Sequence, residues 1–78
     1  MKLPVEVRIR GAGMRSVVAS VEEAIELIDK HLPDELAKLP RWTFARALLV
    51  EALRSGKSRD MKAAVRQLQQ AVRNEKWS

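Results

Sequence analysis

Cysteine and tyrosine are absent from the 78 residues, and histidine occurs once. Without cysteine there is no disulfide, no thiolate nucleophile and no Cys-ligated zinc. With a single imidazole, His31, and no phenol, most general acid–base designs lose a partner. Aromatic side chains are scarce as well, one Phe and two Trp. No apolar run reaches the ~18–20 residues that cross a bilayer. Pro4 and Glu6 break up any signal-peptide core at the start. The expectation from these absences is a cytoplasmic, non-enzymatic protein with no cofactor, no metal and no membrane contact.

What is present suffices for a fold. Leu, Ile, Val and Phe make up 21 of the 78 residues, above the ~20% below which a charged chain stays disordered. Ten alanines complete the apolar share and bury little each. The length fits a single small domain spanning residues 1–78, with a core that rarely supplies more than ~3–5 kcal/mol. The net charge of +5 is unevenly spread. Residues 1–19 and 57–78 are basic, and the stretch between them is mildly acidic. Such a division suits intramolecular contacts, self-association or an anionic partner.

Val5, Val7 and Ile9 alternate with Glu6, Arg8 and Arg10, the period of a strand with one buried face. Gly11-Ala12-Gly13 reads as a tight turn, and Met14–Ala19 as the returning strand of a hairpin. Two inward sets fit that second strand equally, Met14/Ser16/Val18 and Arg15/Val17/Ala19. Ser20-Val21-Glu22-Glu23 is a capping box, opening a helix over about 21–32. Its apolar arc is Val21, Ala24, Ile25, Ile28 and Leu32, and Pro33 stops it.

Residues 33–42 predict a connection with at most one helical turn around Glu35–Leu39. Thr43 is the expected N-cap of a second helix, with Trp42 stapled onto Ala47. From Phe44 to Leu53 so little is polar that this helix reads as the central buried element. Gly56 supplies its left-handed stop. Ser58 is the expected cap of a third helix whose core face is Met61, Ala64, Val65, Leu68, Ala71 and Val72. Trp77 is expected to fold back on apolar surface. The fold class is therefore α+β: an N-terminal two-stranded antiparallel β-hairpin followed by three α-helices (ββααα).

Several of these landmarks resemble the small α-proteobacterial proteins of domain-of-unknown-function family 982. They are Pro4-Val5-Glu6-Val7, Gly13-Met14-Arg15-Ser16-Val17, Ser20-Val21-Glu22-Glu23-Ala24, Ala45, Ala47, Ala52-Leu53, Gly56, Ala63, Ala64 and Ala71. Leu32-Pro33 departs from the Trp-Pro stop frequent in that family. The resemblance covers nearly the whole chain, implies the same fold and assigns no activity.

Each candidate for chemistry has a plainer reading. His31, in the last turn of the first helix, suits a cap or surface role better than catalysis. Glu22, Glu26 and Asp29 form an acidic stripe, a solvated face without the wrapping loop that calcium sites use. Ser55-Gly56-Lys57-Ser58 contains a Gly-Lys-Ser triplet but follows a helix and lacks the earlier glycine of a phosphate loop. The sharpest lead is the basic stripe Arg59, Lys62, Arg66 and Arg73 on the third helix, with Arg8, Arg10 and Arg15 on the strands. A solvated face is the plain reading of that stripe, and the functional readings are nucleic acid or an acidic protein. Lys57 and Lys62 occupy positions where a helix-turn-helix reader buries apolar groups. Trp42 and Trp77 read as core residues rather than stacking platforms.

Weighed together, the residues point to a protein-interaction or self-assembly module, a homodimer extending its sheet across a two-fold axis. Strand 1 has Pro4 at its start and little after it to block such pairing. The alternative is a nucleic-acid accessory protein using the basic stripe.

Overall fold

The computed structural model describes residues 1–11 and 14–77, with 14–16 as backbone only. The turn expected at Gly11-Ala12-Gly13, the side chain of Arg15 and the first inward set beyond Val18 thus lie outside the described residues. Strands β1 (Lys2–Gly11) and β2 (Met14–Ser20) pair antiparallel and are followed by helices α1 (Val21–Glu26), α2 (Asp34–Ala37), α3 (Pro40–Ser55) and α4 (Ser58–Asn74). This is the expected α+β order, with the predicted helical turn in the connection realised as α2, one residue earlier than expected.

The hairpin register pairs Val7 with Val18, Arg8 with Val17 and Arg10 with Arg15. Val18 is buried and Val17 is 47% exposed, which selects the even-numbered inward set on β2 as far as it is described. β1 departs from its simple alternation. Leu3, Val7 and Ile9 are buried, whereas Val5 is exposed. The cause is a register shift between Lys2 and Val7, where four residues of β1 face only Ala19 on β2. Pro4 sits in that bulge, at a point where its missing N–H costs no ladder bond.

The capping box forms at the start of α1. Ser20 Oγ accepts from the Glu23 N–H at 3.1 Å, and the Glu23 carboxylate accepts from Ala19 N–H at 3.2 Å. The helix expected over 21–32 then changes character, because Leu27–His31 is a π turn closed by Leu32 N–H donating to the Leu27 carbonyl at 3.0 Å. The wider turn brings Leu27 into the core beside Ile28 and leaves Ile25 half-buried, which a 100° periodicity does not anticipate.

α3 begins at Pro40, three residues before the expected cap at Thr43. Proline suits the first helical position because its φ is preset and its absent N–H has no partner to lose. Trp42 therefore lies inside the helix and is fully buried, while Ala47 is exposed, so no staple joins them. Thr43 Oγ1 instead donates to the Pro40 carbonyl at 3.2 Å. Nor is α3 buried all round. Trp42, Ala45, Leu49 and Ala52 form its inner face, and Phe44, Val50 and Leu53 are exposed. A domain of this size has too few elements to cover a helix on every side.

Gly56, at φ +70, ends α3 as expected. The cap position of α4 is Lys57 rather than Ser58, which is already helical. Ser55 takes over the side-chain work at this corner: its Oγ accepts from Lys57 N–H and donates to the Asp60 carboxylate. The inner face of α4 (Ala64, Val65, Leu68, Ala71, Val72) packs on α3 and β1. Together with Ile9, Val21, Trp42 and Leu49 it makes one continuous core. Trp77 folds back onto this core, its ring 5.9 Å from that of Trp42. No helix among the described residues is long and apolar enough to cross a membrane.

Candidate interaction surfaces

Strand alternation determines which backbone groups each edge of the hairpin offers. Arg10 N–H donates to the Trp77 carbonyl at 2.6 Å and so faces away from β2. By the antiparallel pattern Arg8 on β1, and Arg15 and Val17 on β2, also turn their N–H and C=O groups outward. The two edges are not equivalent. On β1 the bulge, Pro4 and the Trp77 carbonyl leave only a short stretch at Arg8 open, and α4 packs alongside. The expectation that, after Pro4, little on strand 1 blocks pairing is therefore corrected, because the bulge set by pairing with β2 and the Trp77 carbonyl from the far end of the chain both block it. On β2, the same alternation turns the Val17 N–H and C=O away from β1, no bond from them to backbone outside the sheet occurs among the described residues, and the side chain is exposed.

The basic candidates fall into two groups. Arg59, Lys62 and Arg66 line one shallow depression on the outer side of α4 with Ala63. Arg73 is brought to Arg8 across the gap between α4 and β1, in a groove lined also by Glu6, Val7, Gln69 and Val72. That groove encloses about 290 Å³ and is open along its length, at the bottom of the ~300–1,000 Å³ range of small-molecule pockets. Arg10 is exposed on the outer face of the sheet, and Arg15 keeps its place in β2 with no side chain described. The meeting of Arg8 with Arg73 was not legible in the sequence, since it depends on how α4 docks on β1.

The acidic side of the molecule neutralises itself. The three members of the stripe on the first helix each hold a cation of this chain. Glu22 binds the N-terminal ammonium at 2.6 Å, Asp29 binds Arg46 at 2.7 Å, and Glu26 lies 3.8 Å from Lys30. Glu51 pairs with Arg54, and Glu75 with Arg41. None of Arg8, Arg10, Arg59, Lys62, Arg66 and Arg73 has a carboxylate within ion-pair distance among the described residues. His31 is exposed at the end of the π turn.

The Arg46 guanidinium, by hydrogen bonding to Asp29, holds that carboxyl below the ordinary aspartate value, and the N-terminal ammonium does the same to Glu22. For Asp29 the expected result in a carboxyl-resolved NMR titration is a midpoint below the ~3.9 of free aspartate, returning to it in Arg46→Ala. A lowered folded-state pKa means that the pair's contribution is complete above the ordinary value. It is lost as pH falls through the lowered one. Both side chains are nearly half exposed, so the stability at stake is small. A midpoint unchanged by Arg46→Ala would show that the pair does not form in solution.

No protein-family model, no curated protein and no solved structure matches the chain. The family resemblance rests on its sequence landmarks alone.

Proposed function

We propose that the domain is a small non-enzymatic self-assembly module, in which two copies join β2 edge to β2 edge about a two-fold axis. The observation that supports this reading is the register at Val17, which turns its backbone groups away from β1 beside its exposed side chain. An antiparallel pairing centred there sets Val17 opposite its own copy, where the two residues exchange both N–H···O bonds. Arg15 then lies opposite Ala19, whose N–H is already engaged by Glu23 but whose carbonyl can still accept. The product is a four-stranded sheet, which removes the weakness of an isolated two-stranded ribbon. The interface is short, so the dimer forms in the micromolar range or weaker. The sheets bring exposed arginines of the two copies onto one face, so added salt tightens the dimer by screening them.

Sedimentation velocity or light scattering across a concentration series tests the reading. Val17→Lys is expected to abolish the mass increase, because a charge on an edge strand opposes pairing. Val17→Pro is expected to do the same, since by the strand alternation the N–H it removes points away from β1. Both variants should retain the wild-type helical signal. A strictly monomeric wild type at high concentration, or a dimer that Val17→Lys leaves intact, overturns the proposal.

A further inference from the structure

We infer that the outer face of α4, continued by Arg8 of β1, binds the phosphate backbone of duplex DNA independently of sequence. The inference stands on the separation of charge, not on the β2 edge. On the α1–α3 side, Lys30, Arg41, Arg46 and Arg54 each hold a carboxylate. On α4, Arg59, Lys62, Arg66 and Arg73 have none among the described residues, although the helix carries Asp60, which is taken by Ser55. All four are exposed. At 100° per residue they fall within an arc of about 60°, so they make a single ridge. From Arg59 to Arg73 that ridge is about 21 Å long. Over that length a duplex offers on the order of 12 phosphates, so every cation on the ridge finds an anion without the partner having to deform.

Three observations favour a duplex over other anions. The ridge carries no aromatic side chain, since Trp42 is buried and Trp77 is half-buried against the core, so a single strand finds no stacking platform. No large apolar side chain is exposed on α4, so an anionic bilayer gains nothing by insertion there. The cations are held on one rigid helix of 17 residues, which matches a stiff polyanion better than a flexible acidic peptide that must lose its own freedom. At the β1 end of the ridge the groove holds Arg8 and Arg73 but also Glu6, which has no ion-pair partner among the described residues and opposes the phosphates. That position supplies a signature: neutralising Glu6 must strengthen binding.

The test is fluorescence anisotropy with a labelled duplex of about 24 bp and arbitrary sequence. With roughly five phosphates neutralised, affinity should fall about 500-fold between about 50 and 200 mM salt. Arg66→Glu should weaken binding at least tenfold at the lower salt, while Lys38→Glu should leave it near wild type. Lys38→Glu makes the same change in net charge at the C-cap of α2, a helix that packs on α3. Glu6→Gln should tighten binding. Far-UV circular dichroism checks that each variant keeps its helices. No binding at low salt, equal losses in Arg66→Glu and Lys38→Glu, tighter binding of single-stranded DNA, or equal binding of poly-glutamate would each overturn the inference.

Discussion

Trp42→Ala should leave the chain without a cooperative thermal transition at 25 °C and above. Trp42 is fully buried at the start of α3, is among the largest enclosed side chains and packs against Trp77 with the two rings tilted by 38°. Truncating a buried Trp to Ala costs about 3–5 kcal/mol through lost burial and the cavity left behind. A core of this size supplies about the same amount in total. The loss is thus comparable to the whole stability rather than a fraction of it. The conservative variant separates volume from polarity. Trp42 Nε1 finds no hydrogen-bond acceptor among the described residues, so Trp42→Phe removes an unsatisfied buried donor along with part of the ring. Trp42→Phe should therefore stay folded, with a cost of about 1–2 kcal/mol, or roughly 5–15 °C in Tm. Phe44→Ala, two residues along the same helix but 55% exposed, should shift Tm by no more than a few degrees. A Trp42→Ala melt within about 5 °C of wild type would contradict the placement of this side chain.

The same residue marks where the sequence could be read and where it could not. Local signals with a single physical cause carried through: the Ser20–Glu23 box, the Gly56 stop and the three-and-four spacing on α4 all appear where the residues imply. Each depends only on neighbours in the chain. The failures share the opposite property. Val5 alternates correctly yet faces solvent, because the bulge is set by the pairing with β2 rather than by β1 itself. Thr43 has the chemistry of a cap, but Pro40 upstream opens the helix first. Phe44, Val50 and Leu53 make α3 look buried on all sides, whereas burial depends on how many elements exist to cover it. The candidate surfaces follow the same division. The basic stripe was visible as a periodicity, and its freedom from carboxylates was not. That freedom depends on Asp29, Glu51 and Glu75 spending their charge on Arg46, Arg54 and Arg41 elsewhere in the fold.

Gly11→Ala should cost about 2 kcal/mol and act at the opposite end of the chain from the mutation. The reason is proximity rather than backbone conformation, for a Cβ built on Gly11 falls within the indole of Trp77. That ring has little freedom to retreat. The Trp77 N–H donates to the Val72 carbonyl at 3.0 Å, its own carbonyl accepts from Arg10 N–H at 2.6 Å, and Lys76 before it is in the left-handed region at φ 62. Two responses are open to the protein. It can keep the tail docked and distort around the added methyl, which costs about 1–3 kcal/mol. Or it can release the tail and lose the burial of a large aromatic side chain, about 1.5–3 kcal/mol for a fully buried one and less for this half-buried ring. Release is the cheaper route, and its signature is local: red-shifted Trp77 emission and faster exchange of the Arg10 amide, with the helical signal intact. The double variant isolates the cause. In a Trp77→Ala background the obstacle is gone, so Gly11→Ala should cost nothing and even stabilise slightly by restricting the unfolded chain. Equal costs in the two backgrounds would show that Gly11 is needed for something other than room for Trp77.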